Sequence, residues 1–168
     1  MEFIDLQAKL AHIRPAIDAR IKKVLDHGQF IMGPEVSELE EQLADYVGVK
    51  HCISCANGTD ALQLSLMALG VGPDDIVFTT TFSFFATAEV IPLVGATPYF
   101  VDIDADTYNI CPKSLEQAII SAKKNEKHTP RAVIAVDLFG LPANYPELEK
   151  LCDEHGLFLI EDGAQSFG

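Results

Sequence analysis

Apolar positions along the chain change their period near residue 50, and the change separates two kinds of structure. Ala8, Leu10, Ile13, Ile17, Ile21, Val24 and Leu25 recur mostly every three or four residues, the spacing of one face of an α-helix. Pro15 marks an N-terminal turn or an early kink, and Gly28 ends the helix. A second stripe, Val36, Leu39, Leu43, Tyr46 and Val47, opens at Glu35 and closes at Gly48. Between the two, Phe30, Ile31 and Met32 stand together in a loop that runs from Gln29 to Pro34. A soluble surface rarely leaves such side chains bare, so this loop either packs on its own core or meets a partner subunit or ligand.

From residue 51 onward, short apolar runs alternate with helical stretches. The expected strands are His51–Cys55, Ile76–Thr79, Thr97–Val101, Ala132–Val136 and Leu157–Ile160, each short and rich in Val, Ile or Phe. Helices are expected around Asp60–Leu69, Ala86–Leu93, Pro112–Lys123 and Tyr145–His155. This alternation predicts an α/β fold, a mostly parallel sheet with helices on both faces, preceded by the N-terminal helical segment. The polar stretch Ser121–Arg131 reads as a solvated loop, and the sequence shows no internal repeat.

Composition narrows the class. The 168 residues, 48% hydrophobic and 22% charged, can bury a real core and fit one domain or a large part of one. A net charge of −13 with few, scattered basic residues argues against a nucleic-acid partner. The opening Met-Glu-Phe-Ile-Asp-Leu is unlike a signal peptide and no apolar run reaches membrane-spanning length, so a cytoplasmic protein without membrane contact is expected. Cys52, Cys55, Cys111 and Cys152 are too sparse for a disulfide framework. No second Cys/His pair stands at zinc-ligand spacing from Cys52 and Cys55, so the expected cysteine environment is a buried, small apolar one, with no metal site.

Ligands of parallel sheets sit at the carboxyl ends of the strands, so the segments that follow each strand carry the candidate chemistry. In Ser54–Leu62 an apolar run turns through Asn57-Gly58-Thr59-Asp60 into a helix. Gly58 lets a ligand approach the backbone, and the helix N-terminus and the Thr59 hydroxyl form a phosphate cradle, although the same residues are ordinary turn and N-cap chemistry. Glu161-Asp162 after the last strand supplies a carboxylate. Together with a ring from Phe82, Phe84 or Phe85, the two ends would bracket a small aromatic phosphate. Asp102-x-Asp104-x-Asp106 begins like a calcium loop, but Thr107 and Lys113 replace the Gly and Glu that such a loop needs; a solvated acidic turn is expected. G-x-G-x-x-G after a strand, the P-loop and G-x-S-x-G are all missing.

Four segments in order, Gly28–Val36, Ser54–Leu62, Thr81–Glu89 and Glu161–Gly168, resemble the nucleotide-sugar aminotransferases of the DegT/StrS group, which are fold-type I pyridoxal-phosphate enzymes. The resemblance runs from about residue 3 to the last residue. It implies that Gly58 and Thr59 bind the phosphate of pyridoxal 5'-phosphate, that Phe84 stacks on the pyridine ring, that Asp162 pairs with the ring nitrogen, and that Gln165 hydrogen-bonds the phenolic oxygen. Phe84 stands where relatives carry Tyr or Trp, which keeps the stacking surface and removes a polar handle.

The resemblance further implies transfer of an amino group from glutamate to a keto group of a nucleotide-linked sugar, the 3-oxo position of a UDP-N-acetyl-hexuronic acid, in bacterial surface-polysaccharide synthesis. A pyridoxamine-phosphate sugar dehydratase and a non-catalytic binding module are the alternatives. It implies a homodimer that would cover the Phe30–Met32 loop. Residues 1–50 are then a helical segment with a dimer or substrate loop, and 51–168 the first part of the cofactor-binding large domain. In the family, the lysine that forms a Schiff base with the cofactor lies beyond the Glu161–Ser166 motif, and none of the nine lysines here stands there. The chain thus reads as the N-terminal part of a longer enzyme, without a C-terminal small domain and inactive by itself.

Overall fold

The computed structural model describes residues 4–124 and 127–167. It contains two compact units, Met1–Ser54 and Cys55–Gly168.

In the first unit, α1 (Leu6–His27) begins where the Asp5 carboxylate accepts the Ala8 N–H at 2.8 Å, and ends as Gly28 turns left-handed. Helix α2 (Pro34–Val47) starts on a proline that needs no N–H partner at that position. Gly33 before it is required, because a Cβ there would overlap the Gln29 carbonyl. Arg20 grips Glu38 through two hydrogen bonds of 2.8 Å, and Lys23 reaches Glu35 at 3.0 Å. The stripe on α1 is helical as expected, yet none of its residues is buried. Phe30, Ile31 and Met32 are exposed, Ile31 by 91%, so the loop does not pack on a core of its own.

The expected strand at His51–Cys55 does not form. A strand exists only within a ladder, and the Ser54 N–H that a ladder would use is taken by the Glu40 carboxylate at 2.8 Å, which also accepts the Ser54 hydroxyl at 2.7 Å. Ile53 is 86% exposed and Cys55 is exposed too, contrary to the buried cysteines expected; Cys152 alone of the four is buried.

The second unit is α/β. Its elements are α3 (Gly58–Ala68), β1 (Asp75–Thr80), α4 (Phe85–Leu93), β2 (Thr97–Val101), α5 (Pro112–Ala122), β3 (Thr129–Val136), α6 (Tyr145–His155) and β4 (Phe158–Asp162). The four strands form one parallel sheet in the order β2-β1-β3-β4. From β1 the chain steps to β2 on one side, then crosses back and continues through β3 to β4 on the other. Parallel crossovers keep one hand, so reversing the direction of travel moves the connecting helices to the opposite face. Accordingly α3 and α4 cover one face and α5 and α6 the other.

Alternate strand residues feed the two faces. Ile76, Phe78, Val133 and Ala135 join the core beneath α5 and α6, whereas Val77, Ala132 and Ile134 join the one beneath α3 and α4. Burial on both faces explains why β1 and β3 read as unbroken apolar runs rather than alternating ones. Ser121–Arg131, expected to be a loop, instead holds the end of α5 and the start of β3, with residues 125 and 126 outside the described residues. Arg131 is the extra residue of an irregularity between β1 and β3; its guanidinium lies 5.2 Å from the Phe158 ring centre and donates to the Leu69 carbonyl at 3.3 Å. The acidic turn closes on itself, with Asp104 accepting the Asp106 and Thr107 N–H groups at 3.0 Å. Among the described residues no group of His, Cys, Asp and Glu is placed to hold a metal, and no helix is long and apolar enough to cross a membrane.

Candidate active site

Reversal of strand order between β2 and β3 leaves a crevice at the carboxyl ends of β1 and β3, the place where open parallel sheets bind ligands. A cavity of about 330 Å³ lies there, lined by Gly58, Thr59, Phe84, Asp162 and Gln165 with Leu62, Ala86, Val136 and Ala164 as apolar wall. All five residues singled out from the sequence therefore line one space. Register explains part of this: Val136 and Asp162 are paired at the ends of β3 and β4.

The α3 end of the cavity is rich in donors. Asn57 caps the helix, its side chain accepting the Asp60 N–H at 2.9 Å, and the Asn57 carbonyl takes the Ala61 N–H at 3.0 Å. The Gly58 and Thr59 N–H groups precede these two at the positive end of the helix. A Cβ built on Gly58 meets nothing within 4 Å, so the cavity reaches the backbone itself. The Asp60 carboxylate, the one negative group in this turn, is tied back to Asn57 Nδ2 at 3.1 Å.

Across the cavity, Asp162 Oδ2 accepts the Thr87 hydroxyl at 2.8 Å, and among the described residues Oδ1 has only a long contact, 3.4 Å, with the Ala164 N–H. Gln165 Oε1 accepts the Phe139 N–H at 2.6 Å. Because an N–H must face the amide oxygen, the Gln165 NH₂ is left as the end that can donate elsewhere. Phe84, 71% exposed, is the ring on the cavity wall. Phe82 instead packs with Tyr108 and Phe139 at centroid distances of 5.8 and 6.4 Å, and Phe85 opens α4.

Sequence reasoning passed over the layer behind these residues. Asp137, 1% exposed, accepts from Ala143 N at 2.9 Å, Tyr145 Oη at 2.7 Å and Ser166 Oγ at 2.7 Å. Through Ser166, and through its own backbone N–H, which donates to the Asp162 carbonyl at 3.2 Å, Asp137 pins both ends of the segment that carries Asp162 and Gln165. Burial pushes the Asp137 carboxyl up, but these three donors, together with a hydrogen bond to Glu161, outweigh it and hold it below its ordinary value. Neighbouring Glu161 is shifted upward, by burial first and by the Asp137 charge second. Asn109 joins two loops, accepting the Leu138 N–H at 3.1 Å and donating to the Leu141 carbonyl at 2.8 Å. The position of Asp137 at a strand's carboxyl end was the available signal for its importance. For Thr87 it was a lone hydroxyl among the apolar residues of α4.

A donor-rich helix end, an aromatic wall and a carboxylate in one crevice suit a small aromatic phosphate. The sequence profile of the DegT/DnrJ/EryC1/StrS aminotransferase family matches residues 11–168. The chain belongs to that family. It is 54% identical, over its whole length, to the UDP-2-acetamido-2-deoxy-3-oxo-D-glucuronate aminotransferase of Pseudomonas aeruginosa, of which it spans 45%. The crystal structure of a DegT/DnrJ/EryC1/StrS aminotransferase from Brucella abortus superimposes with a TM-score of 0.95 at 52% identity, over 99% of this chain and 44% of that one. NtdA from Bacillus subtilis, solved with bound cofactor PMP, gives a TM-score of 0.81 at 30% identity, over 88% of this chain and 32% of that one. The chain thus spans less than half the length of the relatives it matches.

Proposed function

We propose that this chain forms the N-terminal half of a pyridoxal-phosphate-dependent aminotransferase that acts on a nucleotide-linked keto sugar. The observation that carries the reading is a cavity at the strand ends in which a helix N-terminus and a carboxylate face a common space with an aromatic ring on its wall. Its residues fit the cofactor. Gly58 and Thr59 would hold the phosphate, Phe84 would stack on the ring, Asp162 would accept from the ring nitrogen, and the Gln165 NH₂ would donate to the phenolic oxygen. When bound, the cofactor supplies a protonated pyridine ring that withdraws electrons from the reacting carbon. The chain's own residues would bind and orient it: Asp162 would keep the ring nitrogen protonated by offering it a negative acceptor, and the apolar wall of Leu62, Ala86 and Val136 would limit water in the cavity.

On this reading residues 51–168 are the first part of the cofactor-binding domain, and residues 1–50 carry a loop for the partner or substrate. The exposed Phe30, Ile31 and Met32 support a homodimer in which a second subunit covers them. The named activity of the Pseudomonas relative supports a 3-oxo UDP-N-acetyl-hexuronic acid as acceptor; glutamate as amino donor and a cytoplasmic step of surface-polysaccharide synthesis are added as part of the proposal.

The full-length protein, incubated with pyridoxal phosphate, glutamate and that keto sugar nucleotide, is expected to yield the 3-amino sugar and 2-oxoglutarate in equal amounts by mass spectrometry. A product that has lost water without gaining nitrogen would place the protein with the sugar dehydratases. No change in the sugar with any amino donor would remove the enzymatic reading.

A further inference from the structure

The geometry points to Thr87 as a positioning residue: its hydroxyl fixes the Asp162 carboxylate so that the other oxygen remains open to the ring nitrogen of a bound pyridine. This inference rests on the function proposed above and extends it to a residue that touches no substrate.

Thr87 is 1% exposed, on the third residue of α4. A helical threonine ordinarily turns its hydroxyl back onto a carbonyl of the preceding turn. Here the Phe84 carbonyl is already engaged by the Thr87 N–H at 3.2 Å, and the hydroxyl leaves its own helix to donate to Asp162 Oδ2 at 2.8 Å, 75 residues along the chain. The hydroxyl thus offers the Asp162 side chain a donor. With Oδ2 occupied, the remaining oxygen has, among the described residues, only the long Ala164 contact and therefore keeps lone pairs for another donor. The placement adds a second effect, because Asp162 meets the first turn of α4, where the helix dipole favours negative charge. A buried hydroxyl in an apolar helix would be costly without a partner, and Asp162 is the partner the structure provides.

Thr87→Val keeps the shape and removes the donor; Thr87→Ser keeps the donor and removes the methyl. In the full-length enzyme loaded with ¹⁵N-labelled pyridoxal phosphate, Thr87→Val should move the ring-nitrogen resonance toward its unprotonated position. It should also lower kcat about tenfold or more while changing the KM for the amino donor little. Thr87→Ser should keep the wild-type resonance and most of kcat. If Thr87→Val does not fold, Thr87→Ala removes the same donor and is read in the same way. A wild-type resonance and kcat in the hydroxyl-free variant would overturn the inference. So would a Ser variant impaired as much as Val, which would assign the effect to packing. A wild-type enzyme that shows no bound, protonated pyridine would instead refute the proposed function itself.

Discussion

Asp162→Asn in the full-length protein is expected to bind pyridoxal phosphate with little loss and to turn over about a thousandfold more slowly. That magnitude corresponds to removing one preorganised charged partner from a reacting centre. The end of the cavity proposed to hold the phosphate, at Gly58 and Thr59, belongs to α3, on another element from Asp162, so on the proposed reading binding and activation are carried by separate groups. An amide in place of the carboxylate can still fill the space and accept a hydrogen bond, but it carries no charge to hold a proton on the ring nitrogen. Steady-state kinetics together with a cofactor titration check this. Wild-type turnover in the variant would take Asp162 out of its assigned role.

Asp137→Ala is expected to be the costliest substitution for stability near the site. It leaves the Ala143 N–H in a buried place, and the Tyr145 and Ser166 hydroxyls in half-buried ones, without their acceptor, at a cost of about 3 kcal/mol. A typical native margin is about 5–15 kcal/mol, so this is a large fraction of it. The effect depends on pH with a definite sign. The Asp137 carboxyl is held below its ordinary value in the folded state, so its contribution is fully present above the unfolded value of about 3.9 and is lost as the pH falls. Glu161, shifted upward, behaves oppositely: its contribution is present at low pH and lost as the pH rises through its raised value. In urea titrations the gap between wild type and Asp137→Asn should be wide at pH 7 and narrow below about pH 4. A gap that stays constant across this range would show that Asp137 is not the charged hub described.

Much of this arrangement was legible in the sequence, for identifiable reasons. Helix ends at Gly28 and Gly48 are set by the backbone, and the apolar runs of β1 and β3 are set by burial on both faces; both are local signals. Gly58, Thr59, Phe84, Asp162 and Gln165 all fall just after an apolar run or at the start of a helix, where parallel sheets gather their ligands, and the structure brings them to one cavity. What the sequence hid is non-local. His51–Cys55 has strand composition, but Glu40 takes the Ser54 N–H, and no spacing in the sequence announces that contact. Thr87 and Asp162 are likewise far apart in the chain, and a single hydroxyl in an apolar helix does not declare its partner. The three donors to Asp137 come from positions 143, 145 and 166, a cluster that exists only once α6 and the end of β4 are in place.

The central claim is that the crevice at the carboxyl ends of β1, β3 and β4 is a pyridoxal-phosphate site. It is tested most directly by titrating the cofactor into the full-length protein and following visible absorption, then reducing with borohydride and mapping the labelled residue. The account predicts a saturable visible band at one cofactor per chain, with the label on a lysine outside residues 1–168. No saturable band, or a label on any of the nine lysines from Lys9 to Lys150, would contradict it.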